Sequence, residues 1–130
     1  MGVSLAAGVA HTLALKSAGT VRSWGDNTYG GLGNGTFNSS TTPVTVSGLT
    51  GVLGLFGGNG DSLALLTDGT VKSWGYNNLG QLGNATISNT GTPTPGAVSG
   101  LTGVVGLAGG RFHGLALKAD GTVRSWGDNY

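Results

Sequence analysis

The chain has 130 residues, 28 of them glycine, about three times the usual share of ~7%, and only 8% are charged, against ~25% in an average soluble protein. It contains no glutamate, and 6 Lys+Arg against 5 Asp leave a net charge of +1. This composition excludes a helical bundle, and 38% apolar residues with so little charge exclude a disordered chain.

Several function classes fall away with it. Six dispersed cations form no basic stripe able to displace counterions from phosphates, so no nucleic-acid partner is expected. The apolar runs are far shorter than the ~20 residues that cross a bilayer, so no membrane span is expected, and no secretory leader is read at the start. With no cysteine there is no disulfide, thiolate metal site or cysteine nucleophile.

In chain order, each unit opens on a short apolar stretch ending in glycine: VSLAAG at 3–8, VLGLFGG at 52–58 and VVGLAGG at 104–110. A second apolar stretch follows, then a tight turn, then a strand ending in Trp-Gly. LALKSAGTVRSWG at 13–25 returns as LALLTDGTVKSWG at 63–75 and LALKADGTVRSWG at 115–127, eleven of thirteen positions agreeing between the first and third. The tryptophans Trp24, Trp74 and Trp126 are spaced by 50 and 52. Ala18-Gly19, Asp68-Gly69 and Asp120-Gly121 predict hairpins with both central residues at positive φ, pairing LALK with TVRSW antiparallel. A long polar loop comes next, with short strands predicted near Val44–Val46 and Ala97–Val98.

Val21 and Trp24 are three apart and point to opposite faces of a period-two strand, and Leu13, Ala14 and Leu15 are consecutive. A sheet apolar on both faces must be covered on both, and without helices the cover is other sheets. The predicted fold is therefore all-β: a β-propeller segment of about three blades of short antiparallel sheets, the last incomplete. It is expected to belong to a larger ring or to be completed by other copies. The chain reads as one repeat domain, 1–130, with repeats at 2–50, 51–102 and 103–130.

GGRFHGLALKADGTVRSWGDN at 109–129 and SWGYNNLGQLGN at 73–84 resemble the regulator of chromosome condensation repeat family, whose pattern runs His-Ser-Leu-Ala-Leu, a hairpin, Trp-Gly-x-Asn and Gly-Gln-Leu-Gly. The resemblance covers nearly the whole chain and implies a propeller ring, typically of seven blades. Its members include a nuclear GTPase exchange factor, a plant ultraviolet photoreceptor and a secreted bacterial β-lactamase inhibitor, so fold does not settle function. GGRFHGLALK is closer in style to the secreted bacterial propellers than to the nuclear exchange factor. The photoreceptor's Gly-Trp-Arg-His-Thr motif is missing, and so is any exchange-factor insertion. Asp61 stands where the other repeats carry His11 and His113, and Gly31 where the second carries Gln81.

His11, Asp61, His113 and the three tryptophans read as structural repeat positions: the polar ones hydrogen-bonded between blades, the indoles filling inter-blade space. Arg22, Lys72 and Arg124, two residues before each tryptophan, predict a stem-on-ring or cation–π contact. Asp26, Asn27, Asp128 and Asn129 carry oxygen ligands but lack calcium-loop spacing. The glycine-rich loops lack the lysine and helix of a phosphate cradle. Asn34, Asn38 and Asn84 sit in N-glycosylation patterns. No catalytic residue, cofactor or metal is expected.

Loops carry function on propellers, and the candidate binding loops supply Tyr29, Tyr76 and Asn78 after the tryptophans and Arg111, Phe112 and His113 after the first strand. The expected function is a non-catalytic module for protein–protein interaction or scaffolding. Its alternatives are self-assembly into a ring or extracellular filament and, without support from charge or insertions, exchange-factor activity. Partners would be a protein or further copies of the chain. Richness in Gly, Ser, Thr and Asn suggests a secreted or surface setting in a bacterium.

Overall fold

A computed structural model describes residues 5–129. Among the described residues, eleven strands form three antiparallel sheets in simple up-and-down order. Blade 1 comprises β1 (Leu5–Ala7), β2 (His11–Leu15), β3 (Val21–Gly25) and β4 (Ser40–Thr45). Blade 2 comprises β5 (Val52–Gly57), β6 (Asp61–Leu66), β7 (Val71–Asn77) and β8 (Ser88–Ala97). Blade 3 comprises β9 (Val104–Gly109), β10 (His113–Lys118) and β11 (Val123–Gly127). This is the propeller segment expected from the doubly apolar strands.

The central hairpins share one register: His11 opposite Gly25, Asp61 opposite Gly75 and His113 opposite Gly127. Their turns differ from the expectation in one respect. Only the glycine is left-handed, with φ of 79° at Gly19, 80° at Gly69 and 85° at Gly121, while Ala18, Asp68 and Asp120 are not. The loop is three residues long: Gly19 N–H donates to Lys16 O and Lys16 N–H to Thr20 O, both at 2.9 Å, a type I turn closed by a glycine bulge. Asp68 and Asp120 assist differently, each accepting from the N–H (3.0 Å) and hydroxyl (2.6 Å) of the threonine two residues on.

The fourth strands also begin earlier than predicted. β8 spans ten residues, and Val46 and Val98 lie just past the ends of β4 and β8, buried, with their N–H groups on Val21 O and Val71 O at 3.0 Å. Register shifts in the β3–β4 and β7–β8 pairs let these polar stretches follow the sheet without an alternating apolar signal.

The core lies between the sheets. Leu13, Val21, Val46 and Leu49 of blade 1 meet Val52, Leu55, Ala64 and Trp74 of blade 2. Leu63, Leu65, Val71, Val98 and Leu101 of blade 2 meet Val104 and Ala116 of blade 3, with Trp126 partly buried against them. The blades approach closely because Gly33 and Gly83 lack side chains: a Cβ there would lie 2.7 Å from Trp74 Nε1 and 2.8 Å from Trp126 Cδ1. Each indole reaches back to the preceding blade, Trp74 Nε1 donating to Gly31 O at 2.8 Å and Trp126 Nε1 to Gln81 O at 2.9 Å.

Replacing Trp74 with alanine therefore empties a fully buried site and orphans a carbonyl. It should destabilise by about 3–5 kcal/mol in urea unfolding. Trp24→Ala, at a half-buried ring on the outer flank of blade 1, should cost clearly less.

Candidate functional site

The loops that join the first two strands of each blade, and those that follow each tryptophan, gather at one end of the sheets. Hydrogen bonds lace them together: Val9 N–H to Gly58 O (3.0 Å), Asn59 N–H to Arg111 O (3.1 Å) and Tyr76 N–H to Gly60 O (2.9 Å). On this loop end Tyr29 of blade 1 and Tyr76 of blade 2 stack, ring centroids 3.8 Å apart and planes at 21°. Gly60 lies against the pair; a Cβ there would come 3.3 Å from Tyr29 Cδ2 and 3.4 Å from Tyr76 Cβ. On blade 3, Arg111 sits 5.1 Å above the Phe112 ring. Leu79, 39% exposed, adds apolar surface on blade 2, and exposed His113 flanks Phe112 on blade 3. Beside Tyr29 an open groove of about 340 Å³ runs to the start of β8, lined by Thr28, Tyr29, Phe37, Asn89 and Thr90.

The candidate loop residues thus fall into two groups, Tyr29 with Tyr76 and Arg111 with Phe112 and His113. Asn78 is half-buried, and its Oδ1 accepts from Gln81 Nε2 at 3.2 Å. Among the described residues the cation found over an aromatic ring is Arg111, and the cation–π form of the contact expected for Arg22, Lys72 and Arg124 is not found. The indoles of Trp74 and Trp126 turn toward the preceding blade to donate their N–H.

Beneath the loops, Asn27 and Asn77 hold them in shape. Asn27 Nδ2 donates to Thr36 O (2.8 Å) and Asn38 O (3.0 Å), while its Oδ1 accepts from Leu32 N–H at 2.9 Å. Asn77 does the same with Thr86 O (2.9 Å) and Leu82 N–H (3.1 Å). Sequence reasoning considered Asn27 as a metal ligand and missed this role; its signal was an asparagine three residues after every tryptophan. Asp26 is engaged as well, its Oδ1 accepting from Thr28 Oγ1 at 2.7 Å. Asn34 and Asn84 close local turns onto Thr36 and Thr86.

His11 is buried between blades 1 and 2. Its Nε2 lies 2.8 Å from Ser62 Oγ, and Ser62 Oγ donates to Gly31 O at 2.9 Å. Because the serine proton is directed to that carbonyl, the imidazole must donate to the hydroxyl. This polarity is the reverse of a nucleophilic dyad, where histidine accepts the serine proton. Burial pushes the imidazole below its usual range, opposed by nearby Asp26 and a hydrogen bond to the backbone of Asp61.

Asp61, the counterpart of His11, is 2% exposed, and its Oδ1 has no hydrogen-bond partner. Burial raises its pKa to about 7, against weaker help from the backbone of Asp61 and Asn59. Where blade 2 offers Ser62 to His11, blade 3 offers Gly114 to Asp61. A Cβ at Gly114 would fall 2.5 Å from Trp126 Cζ2, so the indole fills the space a serine would need.

The regulator of chromosome condensation (RCC1) repeat matches residues 3–30, 57–81 and 104–130, and a second description of the same repeat matches 18–65. The E3 ubiquitin-protein ligase HERC2 of human and of mouse is 39% identical over 129 residues, 98% of this chain and 3% of that protein. Human WBSCR16 superposes with a TM-score of 0.83 at 29% identity, over 96% of this chain and 32% of its own. Yeast RCC1 (Prp20) bound to Kap60 superposes at 0.81 and 29%, over 98% and 30%. Prp20p from Saccharomyces cerevisiae superposes at 0.77 and 31%, over 95% and 32%. The chain thus spans a small part of HERC2 and about a third of the solved propellers. It belongs to the RCC1 repeat family.

Asn77→Ala should leave the Leu82 N–H buried without its acceptor and cost about 1–3 kcal/mol. Hydrogen exchange should show faster opening of residues 78–86 with the β6–β7 hairpin still protected.

Proposed function

We propose that this chain is a non-catalytic, protein-binding segment of an RCC1-type propeller that engages its partner through the loop end. The observation that carries this reading is the pair of rigid aromatic features there, the Tyr29–Tyr76 stack and the Arg111–Phe112 pair. Tyrosine and arginine dominate binding hot spots, and here the rings are held by their neighbours, so little side-chain entropy is lost on binding. Among the relatives, yeast RCC1 (Prp20) is bound to Kap60, and Prp20p has binding properties toward Gsp1p and histones. A protein partner is the same class of ligand. Six scattered cations make a nucleic-acid partner the poorer fit.

The test is a binder selected from a displayed peptide library against the whole chain. Tyr76→Ala and Phe112→Ala should each weaken the selected binder by about 2 kcal/mol, roughly thirtyfold in Kd. Ser17→Ala, at the opposite hairpin end, should leave affinity unchanged. Binders indifferent to both aromatic changes would overturn the assignment of this face.

A second reading, end-to-end association of copies, is favoured by one specific surface. Leu117 and Val123 of blade 3 are 46% and 59% exposed, although their counterparts Leu65 and Val71 are buried at 6% and 1%. Sedimentation should then show mass rising with concentration, and Val123→Asp should suppress it.

A further inference from the structure

Among the differences between the two joints, one falls at a matched pair of positions on the paired strands. Joint 1–2 carries His11 on one side and Ser62 on the other, bonded to each other. Joint 2–3 carries Asp61 and Gly114, and both halves of the pair have changed. The carboxyl keeps the burial of the histidine, 2% against 4% exposed, but the hydroxyl that would meet it is gone and the Trp126 ring occupies its space. On its other side the carboxyl packs against the Gly58 backbone, so closely that a Cβ there would collide with Oδ1.

Among the described residues, no cation acts on the carboxyl. The strands packed around Asp61 are β5, β7, β9 and β10. β5 and β9 hold no titratable residue. β7 holds Tyr76, on the loop end, and Lys72, which pairs with Ala64 farther along β6. β10 holds exposed His113 and, at its far end, Lys118. Arg111 is engaged over Phe112. Asp128 follows β11, and on the blade 1 side lie His11, bonded to Ser62, and Asp26, bonded to Thr28. The polar help on the carboxyl comes from backbone N–H groups.

A buried carboxylate without a cation destabilises the packing that buries it, whereas a neutral carboxyl is tolerated. We propose that joint 2–3 is a protonation-gated hinge: it closes with Asp61 neutral and loosens when Asp61 gives up its proton, while joint 1–2 stays closed. Blade 3, with Arg111 and Phe112, would then swing against a fixed pair of blades. The inference concerns the joint and holds whatever the loop end binds.

The sign follows from linkage. The closed joint holds the proton more tightly than an opened one, where Asp61 returns to the ordinary aspartate range near 3.8. Closure is therefore strongest below that value, weakens as pH rises, and levels off above the closed-state value. Amides that bridge each joint report it separately: Val104 (to Gly69 O) for joint 2–3, Val9 (to Gly58 O) and Val52 (to Gly19 O) for joint 1–2.

On the full chain, protection factors corrected for intrinsic exchange should be followed from pH 4.5 to 8.5, with the Asp61 carboxyl titrated by carbon NMR. Protection at Val104 should fall, by up to about tenfold per pH unit, until the carboxyl midpoint and then level off. Val9 and Val52 should not follow it. Asp61→Asn should hold joint 2–3 protected across the range. A carboxyl midpoint near 4, both joints changing in parallel, or the same pH response in Asp61→Asn would each overturn the hinge. Should Asp61→Asn not fold, the wild-type midpoint and the contrast between joints decide the matter alone.

Discussion

Every other feature of this molecule depends on the burial of two opposite faces of each sheet. In β6 and β7, Leu63, Leu65 and Val71 face blade 3, while Ala64 and Trp74 face blade 1. Each large apolar side chain so buried contributes about 1.5–3 kcal/mol relative to exposure, before chain entropy is set against it. A single blade can realise only part of that gain, which is why the sheets stack and why the core is a series of joints. Close stacking in turn dictates glycine at Gly33 and Gly83, where an indole from the next blade lies against the backbone. Much of the unusual composition is the cost of bringing sheets that near.

A joint that excludes water must also satisfy the polar groups it traps. At joint 1–2 the solution is a directed chain in which the imidazole donates to Ser62, Ser62 donates to Gly31 O, and Trp74 donates to the same carbonyl. Every proton has an acceptor, so the chain fixes the blades in register as well as holding them together. Of that side-chain sequence, joint 2–3 keeps the indole bond, to Gln81 O. The two joints have similar apolar content but different polar completeness, and nearest-neighbour coupling in a repeat array lets such a difference act on one joint alone.

Much of this was legible in the sequence because the repeat displays the pattern three times. The hairpins, the doubly apolar strands and the propeller class follow from LALK and TVRSW and their period. What could not be read had specific causes. Asp-Gly does not by itself fix the turn type, because it suits both a two-residue turn and a three-residue loop with a glycine bulge, and strand register decides between them. The full length of β8 is hidden because its polar, proline-bearing stretch has no alternation to reveal it. Asn27 and Asn77 act on backbone groups five to eleven residues ahead, within loops whose path no periodicity announces. The change from Ser62 to Gly114 is plain in the sequence, but its meaning appears only once Asp61 is seen buried beside it.

The loop end inherits its geometry from these joints. The Tyr29–Tyr76 stack straddles joint 1–2, so its shape holds only while that joint is closed, and the His11–Ser62 bond lies across the same joint. Arg111 and Phe112 belong to blade 3 alone, and their distance from the tyrosines is set by the polar-poor joint 2–3. A partner touching only the tyrosines would meet a preorganised surface. One reaching across to Phe112 would also have to hold joint 2–3 closed, and by linkage its binding would stabilise that joint in proportion to how much more tightly it binds the closed form. Affinity for an extended partner and cohesion of the third blade are thus two measures of the same free energy.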